Sequence, residues 1–164
     1  GVGDCPIHIG DDRGENVRNE GPRPGQALQL TGCHVKALIA HGDAASRERL
    51  RRIAEDDGGL GLAVSESGDG EDALHLLTGD DAPELALVDW DLPGLGGRDV
   101  CRLARARRRF GAPYIILLVP DQERAGEAFA AGADDCLMSG ASGYEVQARL
   151  FAARRFTVRR LVRR

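Results

Sequence analysis

"ALVDWDLPG", residues 86–94, is apolar up to Val88, then presents Asp89-Trp90-Asp91 and breaks on Pro93-Gly94. A strand that is apolar at nearly every position is covered on both faces, so its last residue marks where the backbone emerges into solvent. Open parallel sheets bind ligands at that edge. The fold therefore turns on whether similar runs flank this one, and the chemistry on what surrounds Asp89.

Similar runs do flank it. Upstream, VKALIA (35–40) reads as a buried strand, and DAASRERLRRIAED (43–56) as a helix with Leu50, Ile53 and Ala54 at helical spacing and Asp43 placed as its cap. The alternation continues with GLAVSE (61–66) and GEDALHLL (70–77), then ELALVD (84–89) and GRDVCRLARARRRF (97–110). It closes with YIILLV (114–119) and DQERAGEAFAAG (121–132), then DCLM (135–138) and YEVQARLFAARRF (144–156). Five strand–helix pairs joined by Gly, Pro and Asp predict an α/β fold: a flavodoxin-like, doubly wound, five-stranded parallel sheet with helices on both faces. No internal repeat or low-complexity block interrupts that pattern.

At 164 residues the chain suits one domain with extras. Residues 1–33, rich in Gly, Asp, Asn, Arg and Pro without apolar period, read as a disordered arm. An α/β domain follows over 34–153, and a basic helical extension, or a linker to an output domain, over 154–164. The net charge of −4 names no partner. Its distribution is more telling, because no acid follows Glu145 while Arg149, Arg154, Arg155, Arg159, Arg160, Arg163 and Arg164 do.

No run approaches the roughly 18 apolar residues of a membrane span, and no charged-then-apolar leader precedes a cleavage site, so the chain reads as soluble and cytoplasmic without membrane contact. Its first residue is Gly, as expected of a fragment or a processed chain. Cysteines at 5, 33, 101 and 136 show no paired spacing and read as free thiols. Cys5 with His8, or Cys33 with His34, lacks the spacing of a zinc site.

From about Val35 to Val158 the chain resembles the receiver domain of bacterial two-component response regulators, a five-stranded fold of this kind. The resemblance rests on ALIAHGD (37–43), LALVDWDLPGLGG (85–97), PYIILLV (113–119) and AGADDCLM (131–138), of which the second and fourth are the more specific. It implies that 34–153 is a receiver-like domain and that Asp89 is the phosphoacceptor, a carboxylate fixed at a sheet edge yet reachable by an in-line donor. The bland alternative for Asp89 is a turn-initiating Asp before Pro-Gly.

The family assists its aspartate with Mg²⁺, a hydroxyl and a lysine, since phosphoryl transfer is mostly positioning and charge stabilisation. Here the two acids expected after the first strand fall on His41 and Gly42, leaving Asp43, Asp89 and Asp91 as candidate Mg²⁺ ligands at an impaired site. A single His41 makes no zinc or copper site. The hydroxyl position reads Val119, followed by Pro120, and the Lys-Pro position reads Ser139-Gly140. Cys136 stands where receivers often carry a switching aromatic. Losing one preorganised donor to a developing oxyanion costs roughly 3 kcal/mol, and losing two would slow the chemistry by about four powers of ten.

Three readings follow. The preferred one is a degenerate receiver (a pseudo-receiver), kept in phosphorelay signalling as a regulatory protein-interaction module and not as an enzyme. The second is a working phospho-receiver that uses His41, Asp43 or Ser139 in unusual roles. The third is a haloacid-dehalogenase-like phosphohydrolase built on Asp89-x-Asp91; Pro93 stands where that family wants Thr or Val. Expected partners are a sensor kinase or an output domain. RRFTVRRLVRR (154–164) suits a connecting helix, a homodimer-forming extension or a nucleic-acid patch, with nucleic acid reached only through an unseen output domain. The similar RLARARRRF (102–110) is explained as a solvated helix end that complements the dipole.

Overall fold

The computed structural model describes residues 34–56, 60–108 and 111–163. The arm expected over 1–33, and with it Cys5, His8 and Cys33, lies outside the described residues.

The strands are β1 (Val35–Ala40), β2 (Leu62–Ser67), β3 (Leu85–Asp89), β4 (Tyr114–Val119) and β5 (Asp135–Met138). Between and after them come α1 (Ala44–Glu55), α2 (Gly70–Thr78), α3 (Gly97–Arg107), α4 (Ala125–Ala130) and α5 (Gly143–Val162). All strands pair in parallel in the order β2-β1-β3-β4-β5. The chain thus leaves β1 toward one edge and then returns past it to β3. That reversal makes the β1/β3 junction the topological switch point, where such sheets open a crevice at the C-terminal strand ends.

Strand side chains alternate between two cores. Leu38, Ala86, Val88, Ile115 and Leu117 pack with Ala73, Leu74 and Leu77 of α2, Val100, Cys101 and Ala104 of α3, and Ala128 of α4. Ala37, Ile39, Leu85, Leu87, Ile116 and Leu118 pack with Leu50 and Ala54 of α1 and Val146, Leu150 and Ala153 of α5. Helices therefore cover both faces, and β3 is buried along its whole length. This is the doubly wound, flavodoxin-like sheet expected from the alternating runs.

Two elements differ from the sequence reading. α3 stops at Arg107, because Arg108 turns to extended backbone and its guanidinium donates to Gly79 O at 2.9 Å. Residues 121–132 do not form one helix. Asp121 is extended and accepts from the Arg124 N–H, which tightens 122–124 into a 3₁₀ turn before the short α4. α5 runs on past Phe156 to Val162. Buried Thr157, a Tyr114–Phe156 ring contact at 5.3 Å and a bond from Arg160 to Ala112 O at 3.0 Å dock its last turns against the start of β4. Among the described residues no helix is long and apolar enough to cross a membrane.

Candidate functional site at the β1/β3 strand ends

Asp89 is the last residue of β3 and only 6 % exposed. The following peptide stays paired, Trp90 N–H donating to Leu118 O at 2.9 Å, and the chain then turns sharply so that Gly97 N–H meets Trp90 O at 3.0 Å. A Cβ on Gly97 would lie 2.0 Å from the Asp89 carbonyl oxygen, so only glycine permits this close return into α3. The carboxylate is thus held on rigid backbone from both sides.

His41 follows β1 and reaches the same spot. Its N–H continues the sheet to Ser67 O at 3.1 Å, and Arg47 of α1 donates to its carbonyl at 2.7 Å. The ring is oriented by Asp43, whose N–H donates to Nδ1 at 3.0 Å. A ring nitrogen that accepts carries no hydrogen, so the imidazole hydrogen sits on Nε2. Nε2 lies 3.8 Å from Asp89 Oδ2, beyond a hydrogen bond but well within electrostatic reach. Burial holds the Asp89 carboxyl above its ordinary range, and the Asp91 charge adds to that. His41 and the N–H groups of Trp90 and Asp91 pull in the opposite direction.

The other positions singled out in the sequence sit as follows. Asp43 caps α1: its Oδ2 accepts from Ser46 N–H at 2.8 Å and from the Ser46 hydroxyl at 2.7 Å, and these bonds lower its pKa. Gly42 faces Pro93; a Cβ there would lie 2.9 Å from Pro93 Cδ, so a longer side chain meets that ring first. Val119 ends β4 at 1 % exposure, presenting alkyl groups to the α2/α3/α4 core. Ser139 and Asp91 are exposed, and the Ser139 N–H is spent on Val119 O at 2.8 Å. Cys136 is half-buried, its thiol pushed up by burial and by Asp135. Among the described residues no three His, Cys, Asp or Glu side chains gather as metal ligands. The structure brings Asp89 and His41 together and leaves Asp43 turned to its helix.

Beside this pair lies a feature that sequence reasoning missed. Arg124 stands over the Trp90 ring at 5.8 Å and pairs with Asp121, while Arg98 pairs with Glu127 at 2.9 Å. Trp90, Arg124, Arg98 and Glu127 border an open polar cleft of about 490 Å³ that also includes Asp91. The signal for Trp90–Arg124 was absent from any local spacing, because 34 residues and a whole strand separate the two. Arg47 could have been found as the first basic residue beyond the Asp43 cap.

Residues 37–151 match the response regulator receiver domain family model. The chain is 34 % identical over 126 residues to the response regulator MprA of Mycolicibacterium vanbaalenii, covering 75 % of this chain and 52 % of that protein. It is 33 % identical over 118 residues to the DNA-binding response regulator MtrA of Mycolicibacterium paratuberculosis, covering 71 % and 50 %. The chain therefore spans about half the length of these curated relatives. Among solved structures, a beryllofluoride-activated DrrB receiver domain superposes with a TM-score of 0.63 at 23 % identity, covering 74 % of this chain and 97 % of that one. A CheY-like receiver domain protein of Methanospirillum hungatei gives 0.65 at 19 % identity, covering 78 % and 99 %. These two likenesses concern the fold.

Proposed function

Because the chain belongs to the response regulator receiver domain family of two-component signalling, we propose that it is a degenerate receiver: a regulatory module that signals by protein contact and carries no lasting aspartyl phosphate. The observation that supports this is the company Asp89 keeps. Receiver domains hold Mg²⁺ beside the phosphoacceptor, and here the side chain that reaches to within 3.8 Å of the Asp89 carboxylate is an imidazole. The residues present do not fit that ion. Asp43 is committed to Ser46, Asp91 is exposed, and Pro93 crowds the position where a second acid would project. Val119 offers no hydroxyl to a phosphoryl oxygen, and Ser139 offers no cation.

With those groups missing, negative charge arriving on Asp89 would meet one Nε2–H and the Trp90 and Asp91 amides. That leaves most of the developing charge uncompensated in a site that is already desolvated. The chain accordingly acts as a non-enzyme in the cytoplasm, with a sensor kinase or an output domain as its partner. Nucleic acid enters only through such an output domain; one relative is by name a DNA-binding response regulator. The phosphohydrolase reading of Asp89-x-Asp91 finds no support in the family match.

A second reading, the working receiver, is favoured by one observation: the β3 exit and its Gly97 return keep Asp89 rigidly placed at the switch point. One experiment separates the two. The purified chain is exposed to a small acyl phosphate with Mg²⁺ and weighed intact. The degenerate reading expects no mass gain; a stoichiometric gain of one phosphoryl group, lost in Asp89→Asn, establishes the working receiver instead.

A further inference from the structure

α5 buries Val146, Leu150, Ala153 and Thr157 against the domain. On another flank Tyr144 is 81 % exposed, Phe151 46 % and Val162 80 %. Ala148 and Arg155 are also exposed, and Val158 is half-buried, packing in part against the core under α1 and α5 and leaving the rest of its side chain on this flank. Positions 144, 148, 151, 155, 158 and 162 alternate steps of four and three, the seam along which one helix packs lengthwise on another. The helix has 20 residues, so the seam is about 30 Å long. Arg149 and Phe156 turn elsewhere, to Asp135 of β5 and Tyr114 of β4. The seam therefore lies on the side of α5 away from β5.

Reversed end for end, the seam matches itself. We infer that α5 forms an antiparallel homodimer whose two-fold axis passes beside Ala152 and Ala153. In that register Tyr144 meets the partner's Val162, Ala148 meets the partner's Val158, and Phe151 meets the partner's Arg155. Each guanidinium then stacks on an aromatic ring, twice per dimer. Glu145, the one acid on α5, gives Oε2 to the Ser142 capping box and flanks the seam on the same side as Arg159, so the antiparallel arrangement brings its remaining Oε1 toward the partner's Arg159. Exposed Ala152 sits at the axis, where a small side chain lets two helices close.

Charge selects this occupant over others. Among the described residues Arg155 and Arg159 have no ion-pair partner within the chain. A parallel pairing would set Arg155 against its own copy. A bilayer surface would have to take Arg155 into the middle of the apolar row, between Phe151 and Val162. A nucleic-acid backbone would use the arginines and leave Tyr144, Phe151 and Val162 in water. The reversible match is accounted for only by a second copy of this chain.

The test uses the full chain as a mixture of natural-abundance and ¹⁵N-labelled protein. Sedimentation over a range of concentrations should show a monomer–dimer equilibrium. A benzophenone amino acid at Tyr144 should cross-link, between labelled and unlabelled copies, to the segment around Val162. Phe151→Glu, at an exposed position, should keep the circular dichroism spectrum and weaken the dimer at least about tenfold. Phe129→Glu on α4, 51 % exposed, should leave it unchanged. A monomer at every concentration, a cross-link from 144 to 144, a cross-link to β5 or α4, or a dimer broken by Phe129→Glu and not by Phe151→Glu would each overturn the inference.

Discussion

Leu117 in the middle of β4 and Val119 at its end are two residues apart and equally inaccessible, yet they answer to different requirements. At Leu117 any side chain of the right volume that fills the space between β3, α2 and α3 serves the fold. At Val119 the resemblance asks for one particular atom, a hydroxyl oxygen, and the chain supplies methyl groups. The same contrast separates the whole strand interior from the rim around Asp89. A core is specified by a repeated pattern that tolerates substitution, while a reactive edge is specified by single atoms at scattered positions. On the degenerate reading proposed above, that is how a receiver sheet can stay complete while the groups that assist its aspartate are replaced.

The contrast can be broken at several points. Leu117→Ala should cost about 2–5 kcal/mol in urea unfolding, the usual range for emptying a buried leucine site. A loss below 1 kcal/mol would mean that the core is looser than its burial implies. A second test concerns Cys101, whose thiol burial pushes from 9.0 up to about 11. Below pH 9 both the folded and unfolded chains hold the proton. Between those values only the unfolded chain releases it, so stability falls as pH rises from 9 to 11, by about 1.4 kcal/mol per unit at most. Cys101→Ala should flatten that part of the profile. Alkylation at pH 8 should likewise reach half-buried Cys136 well before Cys101.

Smaller effects are expected toward the rim. Asp43→Ala removes both bonds to Ser46 and should cost about 1 kcal/mol through the α1 cap, with no change in any Mg²⁺ response. Asp89→Asn should move stability by less than about 1 kcal/mol, because the amide relieves a buried charge while losing only the 3.8 Å contact with His41. A much larger loss, read by urea unfolding, would place Asp89 among the groups that hold the sheet together and would erase the distinction between interior and edge.

The legibility of the chain follows the same division. All five strands were readable because apolar runs bounded by Gly, Pro and Asp repeat at regular spacing. Asp89, His41 and the Asp43 cap were readable because each lies at a strand end or helix start fixed by that pattern. The pairing of Trp90 with Arg124 was not, since it depends on how the loops after β3 and β4 converge. Neither was the obstruction of Gly42 by Pro93, a contact between residues 51 apart. The helix expected over 121–132 broke because Asp121 offered the backbone a competing bond, and the docking of the last turns of α5 through Phe156 and Arg160 at the start of β4 had no local signal.

Trp90 is the only tryptophan in the chain and sits one peptide bond beyond Asp89, beneath a guanidinium. Its ultraviolet emission therefore comes from a single place, next to the carboxylate. Docking of a binding partner, a displaced Arg124 or an ion entering the crevice would each change the light from that indole, so events at this edge can be followed in unlabelled protein.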